Sequence, residues 1–187
     1  MGYFDEEKGV REYIKLAEGF DGRNLINILK KHLPENSSLL ELGMGPGKDL
    51  DILAQNFDVT GSDLSDIFLE LYRKNNPNAD VMHLDALTLI TDRTFDCIYS
   101  NKVLHHLRKN DLITSFKRQR ELLNQNGLLM HSFWLGDKEE EFEGLRFVYY
   151  LEDKLLAEIG AGFEVVESKQ YEELESDDSF FLILRKV

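Results

Sequence analysis

The run from Glu41 to Gly47, with the letters ELGMGPG, is the part of the sequence best suited to holding a ligand. It follows the apolar residues Leu39 and Leu40 and leads into a helical pattern. Three glycines at alternating positions allow a tight turn, so a ligand can approach bare backbone amides and the N-terminus of the following helix. We expect a nucleotide-sized ligand here, with a purely structural turn as the alternative.

Four polar residues stand at the ends of predicted strands. Glu41 ends the first strand, Asp63 the second, Asp85 the third and Asn101 the fourth. Ligands of an open parallel sheet lie over the carboxyl ends of its strands, so these side chains should meet at one edge. Asp63 follows Gly43 by 20 residues, the spacing at which a carboxylate accepts hydrogen bonds from ribose hydroxyls. The alternative role of Asp63 is that of a helix cap.

Helical and strand-like patterns alternate along most of the chain, and they must position these residues. Helices are predicted at 5–17, 21–33, 48–57, 65–72, 111–124 and 152–159, and strands at 39–42, 58–63, 80–84, 95–99, 128–134, 163–171 and 179–184. This order predicts an α/β fold with a doubly wound, mostly parallel sheet that has helices on both faces. The last two strands are too close for a crossover helix and should form an antiparallel hairpin.

Composition limits the class of protein. The 187 residues suit one domain, and a formal net charge of -13 disfavours nucleic acid and anionic membranes as partners, because these need a basic surface. No apolar run approaches the ~20 residues that span a bilayer, and the start of the chain has no apolar signal core, so we expect a cytoplasmic protein. The single cysteine, Cys97, should be a core residue. The acidic runs 137–141 and 172–178 should be solvated loops.

Four segments together resemble the ordered motifs of the class I S-adenosylmethionine-dependent methyltransferases. They are residues 41–47, 59–65, 84–87 and 95–107, and the resemblance extends from about residue 37 to residue 134. It implies a seven-stranded sheet of order 3-2-1-4-5-7-6 and the cofactor S-adenosyl-L-methionine, with S-adenosyl-L-homocysteine as product. It also suggests a single domain, 1–187, with N-terminal helices at 1–34 as a possible lid, a cofactor-binding core at 37–134, and an acceptor-side segment with the terminal hairpin at 135–187.

The resemblance assigns five residues to the methionine end of the cofactor. Glu41 would orient the amino group, while Gly43, Gly45 and Gly47 would let the methionine portion lie against the chain. Asn101 would line this end through its backbone carbonyl. Glu41 would also repel the pyrophosphate of a dinucleotide and attract an ammonium group, which argues against a nicotinamide site.

Four further residues are assigned by the resemblance to the adenosine end. Asp63 would bind the ribose hydroxyls and Leu64 would pack on the adenine. Asp85 would accept a hydrogen bond from the exocyclic amine, and the amide of Ala86 would face a ring nitrogen.

Two residues are candidates for catalysis. Methyl transfer from a sulfonium needs an aligned acceptor and, for some acceptors, a base that removes a proton. In this family the turn that contains His105 and His106 faces the methyl group, and some small-molecule members use a histidine there with an N-terminal tyrosine. His106 and Tyr13 match those positions approximately. The alternative is that both histidines only pack and form hydrogen bonds.

The segment 133–150 lies where the family places residues that contact the acceptor. Trp134 and Tyr149 are candidates for an aromatic wall, and Arg146 for holding a carboxylate or phosphate. The alternative is the apolar face of a connecting helix with an exposed arginine. The other histidines, His32, His83 and His131, have no partners at metal-ligand spacing, so no metal site is expected.

The sequence therefore predicts a methyltransferase that acts on an oxygen or nitrogen of a small molecule. A protein or RNA methyltransferase and a non-catalytic protein that binds the cofactor remain as alternatives, and a nicotinamide-dependent oxidoreductase is a distant one. The low content of basic residues disfavours RNA.

Overall fold

The computed structural model describes residue 4 and residues 6–142, 144–160 and 162–187. The predicted first residue of the first helix, Asp5, and part of the glycine stop predicted after the last helix, Ala161, lie outside these described residues. Within them, no helix has the length and apolar character needed to cross a membrane.

Helices and strands alternate from residue 38 to residue 75, and elsewhere elements of one kind follow each other along the described residues. The helices are α1 (Glu7–Leu16), α2 (Arg23–Leu29), α3 (Lys48–Leu53), α4 (Asp66–Asn75), α5 (Lys109–Leu122) and α6 (Glu152–Ile159), with a 3-10 turn at Leu104–His106. The strands are β1 (Ser38–Leu42), β2 (Asp58–Asp63), β3 (Val81–His83), β4 (Phe95–Asn101), β5 (Leu123–Trp134), β6 (Glu139–Phe142), β7 (Leu145–Val148), β8 (Phe163–Tyr171) and β9 (Ser179–Lys186).

Seven of these strands build one sheet in the order β3-β2-β1-β4-β5-β9-β8. Strands β1 to β5 are parallel, while β9 runs antiparallel to both β5 and β8. With β8 and β9 as its sixth and seventh strands, this is the order that the family resemblance implies. The predicted fold class is confirmed.

Both faces of the sheet are covered by helices. Successive residues of a strand point to opposite faces, so Leu40 and Ile98 join one buried cluster with residues of α5, whereas Leu39 and Cys97 join another with residues of α2. Cys97 is fully buried, as predicted. The central strands are therefore held rigidly, and their carboxyl ends present a fixed edge.

Strand β5 begins five residues earlier than predicted, at Leu123 rather than at residue 128. Leu123 pairs with Phe95, and Leu128 pairs with Cys97. Between these two pairs β5 has more residues than β4, so some residues of β5 have no partner on β4. Asn126 has a positive φ of 62° within this irregularity. The turn signal of Asn126 and its neighbouring glycine thus marks a bulge inside the strand and not its start.

A two-stranded antiparallel ribbon, β6 with β7, replaces the predicted loop and the alternative connecting helix between residues 135 and 150. Glu139 pairs with Val148 and Phe142 with Leu145. The side chains of β6 are exposed, as predicted for an acidic run, but its backbone is a strand. Acidic residues have a low strand propensity, so only the pairing with the apolar strand β7 determines this conformation.

Candidate functional site

The glycine loop between β1 and α3 has a backbone that glycine alone adopts easily. Gly43, Gly45 and Gly47 have φ values of 64°, 50° and 85°. A Cβ atom at Gly43 would lie 2.6 Å from the side chain of Val103, and one at Gly47 would overlap the ring of Tyr72. The loop therefore has no side chains at these positions for two reasons, its dihedral angles and its close packing against Val103 after β4 and Tyr72 of α4.

A cavity of about 310 Å³ opens beside this loop at the carboxyl edge of the sheet. The predicted site residues that line it are Tyr13, Gly43, Gly45, Asp63, Leu64, Asp85, Ala86 and His106. The fold thus brings both ends of the predicted cofactor site and both candidate catalytic residues to one cavity. Glu41, Gly47 and Asn101 are not part of its lining.

Asp63 already accepts hydrogen bonds from two backbone amides. Gly45 N donates to Oδ2 at 2.9 Å, and Ser65 N donates to Oδ1 at 2.8 Å. Burial raises the pKa of Asp63, while these backbone bonds and that of Leu64 oppose the shift. The bond to Ser65, the residue before α4, resembles the predicted alternative of a helix cap. Each carboxylate oxygen has a second acceptor position, so Asp63 can join the glycine loop to α4 and still accept hydrogen bonds from a ligand.

Glu41 lies at the end of β1 with only 3% of its surface exposed. Its Oε2 atom has no hydrogen-bond partner among the described residues. Burial raises the pKa of Glu41 well above its usual value, and the nearby carboxylates Asp49 and Asp63 raise it further. A buried carboxyl oxygen without a donor is unfavourable unless a ligand supplies the donor.

Leu64, Asp85 and Ala86, which the family resemblance assigns to the adenosine end, line this cavity together. Asp85 Oδ1 accepts a hydrogen bond from Leu87 N at 2.8 Å, which fixes the carboxylate. The carbonyl of Ala86 accepts one from Ser115 Oγ of α5 at 2.5 Å. Leu64 is 58% exposed, so it offers an apolar surface to a ligand.

His106 has a defined tautomer. Its Nδ1 lies 2.6 Å from the carbonyl oxygen of Arg146, and because a carbonyl only accepts, Nδ1 must carry the proton. The lone pair of the neutral ring is then on Nε2. Burial lowers the pKa of His106, and the bond to Arg146 opposes this shift. His106 is therefore neutral at pH 7 and able to accept a proton.

His105 is buried, with 2% of its surface exposed, and stacks on Phe147 of β7 at a centroid distance of 5.3 Å. Neither ring nitrogen has a partner among the described residues. Burial lowers its pKa well below the usual value, and the nearby His106 and Lys102 lower it further. His105 thus packs as the predicted alternative describes, but its ring lacks the hydrogen bonds of that alternative among the described residues.

Tyr13 of α1 lies over the glycine loop. Its ring makes an edge-to-face contact with Phe4 at 5.3 Å and another with Phe68 at 5.8 Å. A Cβ atom at Gly45 would lie 3.6 Å from the Tyr13 ring. Burial raises the pKa of Tyr13, and Asp63 raises it further, so the phenol is protonated at pH 7.

The three candidate acceptor residues do not line the 310 Å³ cavity. The ring of Trp134 is covered by Lys102, whose Nζ lies 3.6 Å from the ring centroid. Arg146 pairs with Glu139 across the ribbon, and it reaches the site through its carbonyl. The hydroxyl of Tyr149 donates a hydrogen bond to Glu140 Oε2 of β6 at 3.2 Å.

Lys102 is a site residue that the sequence analysis did not select. It has a positive φ of 55°, and Nζ donates to Phe133 O at 3.1 Å and to Ser179 Oγ at 2.5 Å. Burial lowers the pKa of Lys102 to about 8, while the carboxylates of Glu173 and Asp178 oppose this shift. A lysine in a surface turn gives no sequence signal for this role, because its partners lie on distant strands.

Comparisons with known proteins agree with this geometry. Residues 39–127 match a family model described as a methyltransferase domain. The trans-aconitate 2-methyltransferase of Rhizobium rhizogenes is 28% identical over 93 residues, which cover 48% of this chain and 36% of that protein. The dTDP-3-amino-3,6-dideoxy-alpha-D-glucopyranose N,N-dimethyltransferase of Streptomyces fradiae is 27% identical over 118 residues, or 61% of this chain and 46% of that protein. The chain thus spans less than half the length of these two curated relatives.

A solved structure extends the likeness to almost the whole chain. The glycopeptide N-methyltransferase MtfA, complexed with S-adenosyl-L-homocysteine, has a TM-score of 0.73, covers 90% of this chain and 91% of its own, and is 16% identical. At this identity the likeness concerns the fold. The match of residues 39–127 to a methyltransferase domain and the fold shared with the solved methyltransferase both agree with the resemblance to the class I S-adenosylmethionine-dependent methyltransferases.

Proposed function

We propose that this protein transfers a methyl group from S-adenosyl-L-methionine to an oxygen or nitrogen of a small molecule. The observation that carries the proposal is the buried Oε2 of Glu41, which has no donor among the described residues and lies beside the bare glycine loop. The amino group of the cofactor is a cationic donor of the kind that this oxygen needs. The cofactor therefore fits the residues present.

The methionine end would be held by Glu41, by the loop of Gly43, Gly45 and Gly47, and by the carbonyl of Asn101. Glycine is required at Gly43 because any side chain would collide with Val103, and the same bareness lets a ligand approach the backbone. When bound, the cofactor supplies an electrophilic methyl group on its sulfonium. The sulfur then leaves as a neutral thioether, so this leaving group needs no proton.

The adenosine end would be held by Asp63, Leu64, Asp85 and Ala86. Asp63 has free acceptor positions for the ribose hydroxyls, although its two oxygens also hold backbone amides. Leu64 provides the apolar contact for the adenine, and Asp85 the acceptor for its amine.

His106 would act on the acceptor as a general base through Nε2. The bond from Nδ1 to the Arg146 carbonyl orients the ring and favours the protonated form that arises when Nε2 takes a proton. Tyr13 of α1, which lines the same cavity as His106, would close the cavity and contact the acceptor. An acceptor with an O–H or N–H group suits a neutral imidazole as its partner.

The small size of the acceptor is supported by charge and by the relatives. A net charge of -13 opposes RNA, and the two curated relatives are named for trans-aconitate and an amino sugar nucleotide. We assign Trp134, Arg146 and Tyr149 to the outer approach to the cavity and not to its lining.

We also propose a single domain in which the N-terminal helices act as a lid. Ser65 Oγ donates to Phe4 O at 2.7 Å, and Lys48 Nζ donates to Ala17 O at 2.5 Å, so both ends of the α1 region are tied to the cofactor-binding core. These two bonds must break if α1 moves to admit a ligand.

Titration calorimetry with S-adenosyl-L-methionine, S-adenosyl-L-homocysteine and NAD tests the cofactor. Binding of the first two without NAD is expected, and binding of NAD alone would refute the proposal. A screen of a metabolite panel with methyl-labelled cofactor then tests the reaction. Label in a protein or RNA fraction, and in no metabolite, would overturn the small-molecule acceptor.

A further inference from the structure

Asp49, in the first turn of α3, is a buried carboxylate that joins three separate elements. It is 8% exposed and accepts hydrogen bonds from Gly22 N at 2.6 Å, from the Tyr99 hydroxyl at 2.8 Å and from Asn101 Nδ2 at 3.2 Å. These donors belong to the start of α2 and to β4. Asp49 therefore links the N-terminal helices to the strand end that carries Asn101.

The contact with Gly22 requires a bare backbone. A Cβ atom at Gly22 would overlap both Asp49 Oδ2 and the Tyr99 hydroxyl. The chain can thus pass close enough to donate its amide to Asp49 only because residue 22 is glycine.

The side chain of Asn101 is held at both ends. A carboxylate only accepts, so the amide nitrogen of Asn101 must face Asp49 and its Oδ1 must face Ser132, whose hydroxyl donates to it at 2.6 Å. Ser132 Oγ in turn accepts the backbone amide of Lys102 at 3.0 Å. This chain of bonds fixes the backbone at the end of β4 and the start of the turn that leads to His106.

We propose that Asp49 is a positioning residue for the methionine end of the cofactor site. Asp49 holds Asn101 so that the backbone carbonyl of Asn101 points at the amino group of the cofactor. Asp49 makes no contact with the cofactor itself. This inference rests on the proposed function. It has a specific consequence: ligands that carry the amino-acid portion depend on Asp49, whereas ligands that consist of the adenosine portion alone do not.

The test compares two ligands on one variant. S-adenosyl-L-homocysteine has both portions, while 5′-methylthioadenosine lacks the amino acid. Asp49 accepts the Gly22 amide on Oδ1 and the Asn101 side-chain amide on Oδ2; in Asp49→Asn one of these oxygens becomes an N–H donor, so the side chain can no longer accept both bonds and the charge that holds this network is lost. Calorimetry should show that S-adenosyl-L-homocysteine binds about tenfold or more weakly, the loss expected for a disturbed hydrogen bond to a charged group. Binding of 5′-methylthioadenosine should stay within about twofold of wild type.

Asp96 offers a matched control at the opposite end of β4. Like Asp49, Asp96 accepts hydrogen bonds from a backbone amide, a hydroxyl and a side-chain amide. Ser38 supplies the first two donors, and Asn124 supplies the third. Asp96→Asn should lower the melting temperature and leave the affinity ratio of the two ligands unchanged. A change of the same ratio in Asp96→Asn would show a general effect of destabilisation and overturn the proposal.

The outcomes separate the two levels of inference. If wild-type protein binds neither ligand, the proposed function fails. If wild type binds both and Asp49→Asn weakens both equally or neither, the role of Asp49 fails while the function stands. Should Asp49→Asn not fold, Asn101→Ala breaks the same link from its other end and must lower S-adenosyl-L-homocysteine affinity selectively; unchanged affinity in that variant would overturn the proposal.

Discussion

Replacing Glu41 by glutamine should make the ligand-free protein more stable and the cofactor complex weaker. Glu41 is buried, its Oε2 has no donor among the described residues, and Asp49 and Asp63 raise its pKa in addition to burial. An unsatisfied buried polar group costs about 1–3 kcal/mol. Glutamine keeps the shape and still leaves a polar group without a partner, but it removes the charge that burial and the neighbouring carboxylates disfavour, so above the carboxyl range we expect the free energy of unfolding to increase by about 1–3 kcal/mol.

The sign of the pH dependence follows from the raised pKa. The folded protein holds the Glu41 proton to a higher pH than the unfolded chain does, so stability falls as pH rises from the usual carboxyl range to the raised pKa. Glu41→Gln removes this slope. Since about 1 kcal/mol shifts the melting temperature of a chain of this size by roughly 2–4 °C, the ligand-free variant should melt about 2–12 °C higher at pH 8.

Binding should change in the opposite direction. The variant loses a charge-assisted hydrogen bond of about 1.5–3 kcal/mol, so S-adenosyl-L-homocysteine should bind roughly 10- to 150-fold more weakly. Calorimetry in buffers of different ionisation enthalpy should also show protons released on binding to wild type and fewer on binding to the variant, because the ligand's cation favours ionised Glu41.

Glu167, which pairs with His32 at 2.7 Å and is remote from the cavity, provides the control. Glu167→Gln should not raise the melting temperature and should bind the ligand as wild type does. The reasoning is refuted if Glu41→Gln melts lower than wild type, which would reveal a stabilising partner, or if it retains full affinity for S-adenosyl-L-homocysteine.

Three further variants test the remaining parts of the site. His106→Ala should reduce turnover by about 10²–10⁴-fold with unchanged cofactor affinity, as expected for loss of a general base; wild-type turnover would leave His106 as a packing residue. Because burial lowers the pKa of His106, the wild-type rate should begin to fall at a lower pH than an ordinary exposed imidazole would give, which a pH–rate profile checks. Gly43→Ala should abolish cofactor binding in calorimetry, since its Cβ would lie 2.6 Å from Val103, whereas Gly144→Ala, which carries similar backbone strain but has nothing within 4 Å, should keep the cofactor affinity of wild type. Asp63→Ala should weaken cofactor binding by about 1–3 kcal/mol; calorimetry that shows unchanged affinity would contradict the ribose assignment.

The parallel core was predictable because its signals are local. Short apolar strands followed by amphipathic helices indicate parallel pairing with covered faces, and the observed strand order agrees with the family resemblance. The positions of Gly43, Gly45 and Asp63 beside one cavity follow from the same pattern. Strand ends in a parallel sheet meet at one edge, so spacing along the sequence translates into proximity.

The ribbon β6 with β7 was not predictable in this way. Its first strand is a run of exposed acidic residues, and its conformation depends on cross-strand pairs such as Glu139 with Val148. The position of Arg146 also depends on this pairing: its guanidinium faces Glu139, and its carbonyl faces His106. The sequence suggested that the guanidinium of Arg146 contacts a charged substrate. In the structure the contact of Arg146 with the site is made by its backbone carbonyl, which bonds to His106.

The sequence alone determined the fold class, the glycine loop and the carboxylates at the strand ends, because strand periodicity, glycine spacing and turn chemistry operate over a few residues. Only the tertiary structure decided which atoms of these residues are already engaged. It shows Asp63 bound to two amides, Glu41 with an oxygen that lacks a donor among the described residues, and Asp49 joined to Asn101. Hydrogen bonds between residues 50 or more positions apart, such as that from Tyr99 to Asp49, depend on how the elements pack, and no local pattern encodes them.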